Sequence, residues 1–283
     1  MSKTILITGC SSGIGKSAAE LFASKGWNVV ATMRNPKCEA GTALAKNDKI
    51  MVTRLDVTDK ESIQTAVKEG IDKFGGLDVV VNNAGYGLAG PMELGTKEQI
   101  EHQFMTNTYG PIFVMQAVLP HFRKKKSGII INVTSVGGKI TLPFNSLYHG
   151  SKFAMEGISE GANLELNPLG IRVKILEPGG VTTDFGGRSL KMTQSDTIKD
   201  YDQMIQRAMG AFSKRGEGFS TAEQIADVIW KAATDGKDQV RYVAGEDAKG
   251  IFEMRKNCSD EEYVKTMIKQ FNLVGDDNGD GQQ

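Results

Sequence analysis

The stretch TILITGCSSGIGKSAAELFASKG, Thr4 to Gly26, runs an apolar segment straight into a glycine-rich turn and then into a helix-period pattern. A strand that feeds a helix through so tight a turn is half of a βαβ unit. The next strand must then lie parallel to the first, with the helix packed on the sheet face. Glycines at 9, 13 and 15 suit the turn and also permit close backbone approach to a pyrophosphate at a bare helix N-terminus. Dinucleotide binding by Gly9, Ser11, Ser12, Gly13, Ile14 and Gly15 is therefore one expectation, and a turn made only for folding is the other.

The remaining chain repeats the alternation. Strands are expected at Thr4 to Ile7, Asn28 to Thr32, Ile50 to Arg54, Val79 to Val81, Ile129 to Val133, Val173 to Leu176 and Val240 to Val243. Helical periodicity lies between them at Gly15 to Ser24, Lys60 to Phe74, Lys97 to Arg123, Tyr148 to Leu166 and Thr221 to Thr234. Short apolar runs alternating with longer helices predict an α/β fold, a doubly wound Rossmann-like parallel sheet of about seven strands with helices on both faces. The whole chain, 1–283, is read as one dinucleotide-binding and catalytic domain without internal repeats.

Charge excludes some partners. With 34 Lys plus Arg against 34 Asp plus Glu, there is no basic excess of the kind that binds nucleic acid or anionic membrane. The basic run Arg123 to Lys126 suits a helix C-terminus. Three cysteines without ligand spacing indicate neither a disulfide framework nor a metal site, and a reducing cytoplasm fits them. The N-terminus lacks a signal-peptide pattern, and no apolar stretch approaches the roughly 20 residues of a membrane span. The Gly/Asp-rich end, GDDNGDGQQ, lacks the ligand alternation of a calcium loop and reads as a frayed tail, with the C-terminal tail starting at about 272.

Two more segments follow expected strands, where a doubly wound sheet gathers its strand ends. Asp56 and Val57 lie after the third strand, and Asn83, Ala84 and Gly85 after the fourth. Asp56 could accept from an adenine amino group, or could cap the following helix. Ala84 and Gly85 would let a ring lie against backbone, or simply form a turn. In YHGSK, Tyr148 precedes Lys152 by one helical turn, a spacing that by itself also describes a solvated surface stripe.

Residues 8–15, 56–57 and 82–85, Asn107, Ser135, YHGSK and PGGVTT at 178–183 together resemble the motif set of the short-chain dehydrogenase/reductase family, in the right order and over roughly residues 3–245. The glycine spacing resembles that of its compact single-domain branch. The resemblance implies an NAD(P)-dependent oxidoreductase that moves hydride between a nicotinamide and a secondary alcohol or ketone. It implies that Tyr148 is the acid/base, that Lys152 also binds the nicotinamide ribose, and that Ser135 holds the substrate oxygen. Asn107 would bend the long helix and anchor a proton-relaying water, while Pro178, Gly179, Val181 and Thr183 would flank the nicotinamide. Ser135 as a strand-end cap and Asn107 as an ordinary helix residue remain the alternatives, and His149 is expected to be structural.

A phenol with a pKa near 10 is a weak base at neutral pH. An ammonium roughly 5 Å away, at an effective dielectric of about 20, would favour the phenolate by about 3 kcal/mol, or about two pKa units. The end of the second strand bears on the cofactor. Met33 stands where an NAD-selective site would carry an acid, and Arg34 follows, placed to grip a 2′-phosphate or merely to open a surface loop. NADP(H) is expected over NAD(H). Residues 185–219, with a glycine-rich start and an apolar stripe through Met204, Ile205, Ala208, Met209 and Phe212, read as a substrate lid, although such a stripe more often packs into core. Local wording resembles family members acting on steroids, retinoids or other lipophilic alcohols, and the family implies a homodimer or homotetramer. An NADP-sensing regulator without turnover is disfavoured by the intact Ser135, Tyr148 and Lys152. A sugar-nucleotide epimerase is disfavoured by the glycine spacing.

Overall fold

A computed structural model describes residues 2–182, 189–213 and 218–275. Seven strands form the central sheet: β1 (Thr4–Thr8), β2 (Asn28–Met33), β3 (Ile50–Arg54), β4 (Val79–Asn82), β6 (Gly128–Val133), β7 (Ile171–Pro178) and β11 (Arg241–Ala244). The short β5 (Gly87–Ala89), β8 (Val181–Thr182), β9 (Leu190–Met192) and β10 (Ser220–Thr221) pair outside it. The sheet order is β11-β7-β6-β4-β1-β2-β3, and its ladders are parallel. Each of the seven lies within two residues of its expected span, because fully buried parallel strands announce themselves as apolar runs.

Alternate residues of each strand face opposite layers. On one side Ile5, Ile7, Val29, Ala31, Val79 and Val81 meet α1 (Gly13–Ser24) and α8 (Ala222–Thr234) through Ala18, Phe22, Ile225 and Ile229. Phe22, Trp27 and Trp230 interlock edge to face, with centroids 5.0 to 5.8 Å apart, and tie the two helices together. On the other side Leu6, Val30, Val80 and Ile130 meet α3 (Lys60–Phe74), α5 (Gly110–Lys125) and α6 (Ser146–Leu166). The order reverses between β1 and β4, so a crevice opens where their connections leave in opposite directions.

Three features depart from the sequence expectation. The single helix expected over Lys97 to Arg123 is two, α4 (Lys97–Phe104) and α5, joined by a π-helical turn at Met105–Tyr109 that contains Asn107, the residue expected to bend it. A short α2 (Glu39–Leu44) follows β2, and α9 (Glu246–Lys256) and α10 (Asp260–Gln270) follow β11. The mixed polarity of α9 and α10 hid them, since each buries only a narrow stripe. They share a third core with α7 (Asp202–Ser213), in which Ala208, Phe212, Ala248, Tyr263, Met267 and Phe271 surround Val136, Ile140 and Phe144. Arg207 also donates to the carbonyls of Asn272 and Leu273, at 2.8 and 3.0 Å. Residues 276–283 of the expected tail lie outside the described residues. Among the described residues no helix is long and apolar enough to cross a membrane.

This third core predicts that the C-terminal helices unfold with the sheet rather than before it. Phe271 is completely buried, with its ring 4.6 Å from that of Phe212. Phe271→Ala should cost about 3 kcal/mol in urea unfolding, as large-to-small core changes do. A cost below about 1 kcal/mol would mean that α10 is a loosely attached appendage.

Candidate active site

The C-terminal ends of β1, β4, β6 and β7 converge on the crevice. Thr8, the last residue of β1, accepts through Oγ1 from the Asn83 and Ala84 amides, both at 3.0 Å. Asn83 returns its side-chain amide to the Thr8 carbonyl at 2.9 Å and to that of Gly9 at 3.3 Å. The turn after β1 and the turn after β4 are thereby locked together. Gly9 has φ 77° and Gly13 φ 53°, backbone that glycine adopts readily. A Cβ on Gly15 would lie 2.4 Å from the Gly9 carbonyl oxygen, so no side chain fits there. Ser11, Ser12 and Ile14 complete the loop, half-buried. No side chain caps the α1 N-terminus and no acidic residue sits in its first turn, which leaves positive helix-end potential facing the crevice. This loop fits a pyrophosphate.

The neighbouring pieces differ in detail from expectation. Asp56 does not cap α3; Asp59 does, accepting from the Glu61 and Ser62 amides. The Asp56 carboxylate instead accepts from the Thr58 amide and hydroxyl at 3.0 and 2.8 Å, which orients it at the crevice side of β3. Val57 packs beneath Gly110, where a Cβ would approach it to 2.7 Å. Ala84 and Gly85 stay side-chain poor beside Lys152, whose Nζ would lie 3.7 Å from a Cβ on Gly85. At the end of β2, Met33 turns into the core and Arg34 is exposed.

Tyr148 and Lys152 occupy one face of α6. The Tyr148 hydroxyl hydrogen-bonds the Ser135 side chain, and Lys152 Nζ donates to the Val133 carbonyl at 2.9 Å while standing 5.9 Å from the Tyr148 ring centre. The two anchors, Val133 and Ser135, flank Thr134 where β6 ends and the next turn begins. Ser135 also accepts from the Gly137 amide at 3.0 Å, so it is a turn cap and a phenol partner at once. Burial pushes the phenol pKa up, against a downward pull from Ser135. The expected fall of about two units under Lys152 is thus corrected, because desolvation of the phenolate dominates in this pocket. Burial likewise lowers Lys152 to about 8, opposed by the charge of Glu156.

Asn107 sits in the π turn, almost wholly buried. Its Oδ1 accepts from the Tyr86 amide at 3.0 Å and its Nδ2 donates to the Tyr86 carbonyl at 2.8 Å and to Ser151 Oγ at 3.2 Å. Ser151 in turn donates to the Tyr148 carbonyl at 2.6 Å. The side chain thus ties the helix kink to α6 with both amide protons and one lone pair of Oδ1, leaving the second lone pair for another donor. His149 accepts from the Leu142 amide at 3.1 Å and is pushed down to about 4 by burial, a neutral packing residue as expected. Thr8, Tyr86 and Ser151 were not singled out from sequence as site residues. Only Thr8, as the last residue of the first strand, carried a signal.

Pro178 closes β7, and the Gly179 amide donates to the Ala244 carbonyl at 2.9 Å. A Cβ on Gly179 would meet Asp247 Oδ2 at 2.3 Å, and that same oxygen accepts from the Gly180 amide at 2.6 Å. Val181 continues into β8, which pairs with β10. Thr183 lies outside the described residues, as do 185–188 and 214–217 of the expected lid. The described part of that segment is stitched down: β9 pairs with β5, and Thr193 donates to the carbonyls of Ala89 and Pro91 at 2.8 and 3.1 Å. A separate cavity of about 610 Å³ opens at the end of β11, lined by Phe219, Val228, Lys231 and Tyr242. None of the site residues described above lines it.

Comparison with known proteins agrees with this geometry. The family model described as short chain dehydrogenase matches residues 3–194. A 3-ketodihydrosphingosine reductase of Bacteroides thetaiotaomicron is 32% identical over 270 residues, covering 95% of this chain and 98% of its own. Among solved structures, a short-chain dehydrogenase from Streptomyces avermitilis superposes with a TM-score of 0.80 at 29% identity, covering 96% and 97% of the two chains. ElxO with NADP bound superposes with a TM-score of 0.71 at 28% identity, covering 86% and 96%.

Lys152 predicts its own stability signature. A lysine whose folded pKa of about 8 lies below its usual 10.5 destabilises the fold below about pH 8, and that penalty disappears as pH rises through 10.5. Lys152→Met should therefore raise the unfolding free energy of the cofactor-free protein by about 2 kcal/mol at pH 7, less the lost Val133 hydrogen bond. The gain should vanish near pH 10.5. Urea titrations at several pH values would check this, and a destabilised variant at pH 7 would mean that the lysine is not desolvated.

Proposed function

The chain belongs to the short-chain dehydrogenase/reductase family, and from this premise we propose that it exchanges hydride between NADP(H) and a secondary alcohol or ketone on a lipophilic substrate. The observation that carries this reading is the joint anchoring of Tyr148 and Lys152 by Ser135 and Val133, two residues apart where β6 ends, beside a glycine loop that no side chain could enter. The loop Gly9 to Gly15 would hold the pyrophosphate, with Asp56, Val57, Asn83, Ala84 and Gly85 beside the adenosine half. Tyr148, Lys152, Pro178, Gly179 and Val181 would bound the nicotinamide half, with Thr183 next in sequence. The bound nicotinamide supplies or accepts the hydride.

The protein's own groups handle the proton. Burial holds the Tyr148 phenol in its protonated form at neutral pH, the form that donates to a carbonyl oxygen gaining negative charge. Ser135 shares that phenol and can donate to the same oxygen, stabilising charge as it develops. Lys152 offers a positive charge that offsets the phenolate left after transfer. Asn107, through Tyr86 and Ser151, holds the helix kink against α6 and so fixes Tyr148 in position. The lipophilic substrate is supported by the sphingoid substrate named for the Bacteroides relative.

Two substitutions test the reading. Tyr148→Phe should keep NADPH binding and lose most turnover on a carbonyl panel followed by NADPH absorbance; comparable turnover would end the assignment. Arg34→Ala should lower NADPH efficiency about thirtyfold, equivalent to about 2 kcal/mol of charge-assisted hydrogen bonding, and leave NADH efficiency nearly unchanged. Equal losses for both cofactors would mean that Arg34 does not read the 2′-phosphate.

A further inference from the structure

Behind Lys152 lies a cluster of buried charge that the proton transfer above does not use. Glu156, one turn further along α6, is 5% exposed. Its Oε1 accepts from Thr134 Oγ1 at 2.7 Å, and its Oε2 accepts from Arg241 Nε, on β11, at 3.1 Å. Arg241 also donates to Glu160 at 2.6 Å and stands 3.7 Å from Glu177 Oε1, on β7. That Glu177 oxygen is buried and lacks a hydrogen-bond partner. Thr134 is the middle member of a triplet. Val133 before it holds Lys152 Nζ, and Ser135 after it holds the Tyr148 phenol.

We propose that Glu156 is a positioning residue for the Tyr148–Lys152 pair, fixing through Thr134 the strand end that holds both side chains and setting its carboxylate one helical turn from Lys152 on the same face of α6. The proposal rests on the reading of Tyr148 and Lys152 as the proton-transfer pair.

A purely structural ion pair between α6 and β11 would explain Arg241 equally well, but not the placement of its carboxylate partner. Buried ion pairs rarely stabilise more than an apolar substitute of the same volume, so fastening an edge strand does not require one. The electrostatics favour the functional role. Burial has already brought Lys152 to about 8, and the charge of Glu156 is what opposes a further fall toward neutrality. Among the described residues, the other groups around Glu156 are Lys152 and Glu160 on α6, Thr134 just after β6, Glu177 on β7 and Arg241 on β11. Lys139, after the turn that follows β6, acts on Glu160 and Glu177. Glu177 is raised to about 7 by burial and by the charge of Glu156. Glu156 lies on the helix face it shares with Lys152.

Glu156→Gln keeps an oxygen for the Thr134 hydroxyl and removes the charge. Because Glu177 is then free to ionise in compensation, the decisive variant is Glu156→Gln/Glu177→Gln. Glu160→Gln, which removes an exposed partner of Arg241, is the control. Lysine carbons labelled with ¹³C would report the Lys152 titration by NMR without any need for turnover, with the signal assigned from Lys152→Met. In the folded double variant the Lys152 midpoint should fall by about one pH unit or more, and the alkaline limb of kcat for ketone reduction should move down with it. Glu160→Gln should move neither. An unchanged midpoint in the double variant, or an equal fall in Glu160→Gln, overturns the proposal. Glu156→Asp, which retains the charge, should leave the midpoint near that of the parent protein; a fall as large as in the uncharged variant also overturns it. A midpoint that falls while the kcat profile stays fixed supports the coupling and refutes instead the assignment of Tyr148 and Lys152 as the proton-transfer pair.

Discussion

The hydroxyl of Thr8 accepting two amides from the turn after β4 is the contact on which the site depends. At that point the sheet order reverses, and two strands leave their connections in opposite directions. Unless the two turns are held together the crevice has no floor. Asn83 completes the lock by donating back to the Thr8 and Gly9 carbonyls, and a Cβ on Gly9 would come within 3.0 Å of Ala84 Cα. Backbone this close excludes side chains, and their exclusion is what makes room for a flat, charged nucleotide against the α1 N-terminus.

Opposite that floor, the chemistry sits on a helix braced at several levels. The end of β6 supplies the Val133 carbonyl for Lys152, Thr134 for Glu156 and Ser135 for Tyr148, in three consecutive residues. A strand end is stiffer than a loop, because its ladder partners on both sides hold the backbone. The π turn adds a second brace. Asn107 binds both backbone groups of Tyr86 and reaches Ser151 between the two key residues of α6. The arrangement holds two ionisable side chains in a desolvated pocket that weakens the fold locally, a common cost of functional preorganisation.

The C-terminal third has a different physical basis. Tyr263 donates its hydroxyl to the Thr141 carbonyl at 2.5 Å, and Phe144, at φ 59° a non-glycine residue in left-handed backbone, gives its carbonyl to the Gly90 amide at 2.7 Å. The loop that follows Ser135 is thus held from two sides, by α10 and by the connection after β5. Strain of this kind persists only where the surroundings over-determine it, and the third hydrophobic core supplies that surrounding. Through this core the chain beyond β11 shapes the ground around Ser135 without contributing to the sheet.

Local pattern alone determined the sheet. Seven apolar runs, a glycine turn between a strand and a helix, and a tyrosine one helical turn before a lysine are short-range signals, readable because backbone geometry and the hydrophobic period act within a few residues. What the sequence could not show arises from pairing at long range. Asp56 reads as a possible cap on paper, and only the path of the chain into α3 gives that place to Asp59. The family resemblance implies the bend at Asn107, but its lock onto the backbone of Tyr86, distant in sequence, is visible only in the fold. The Tyr148 phenol is raised rather than lowered because burial, a property of the packed molecule, outweighs the downward pull of Ser135. Glu156, Glu177 and Arg241 lie on three elements and share no motif; folding alone brings their charges together behind Lys152, where low polarisability lets each be felt by the others.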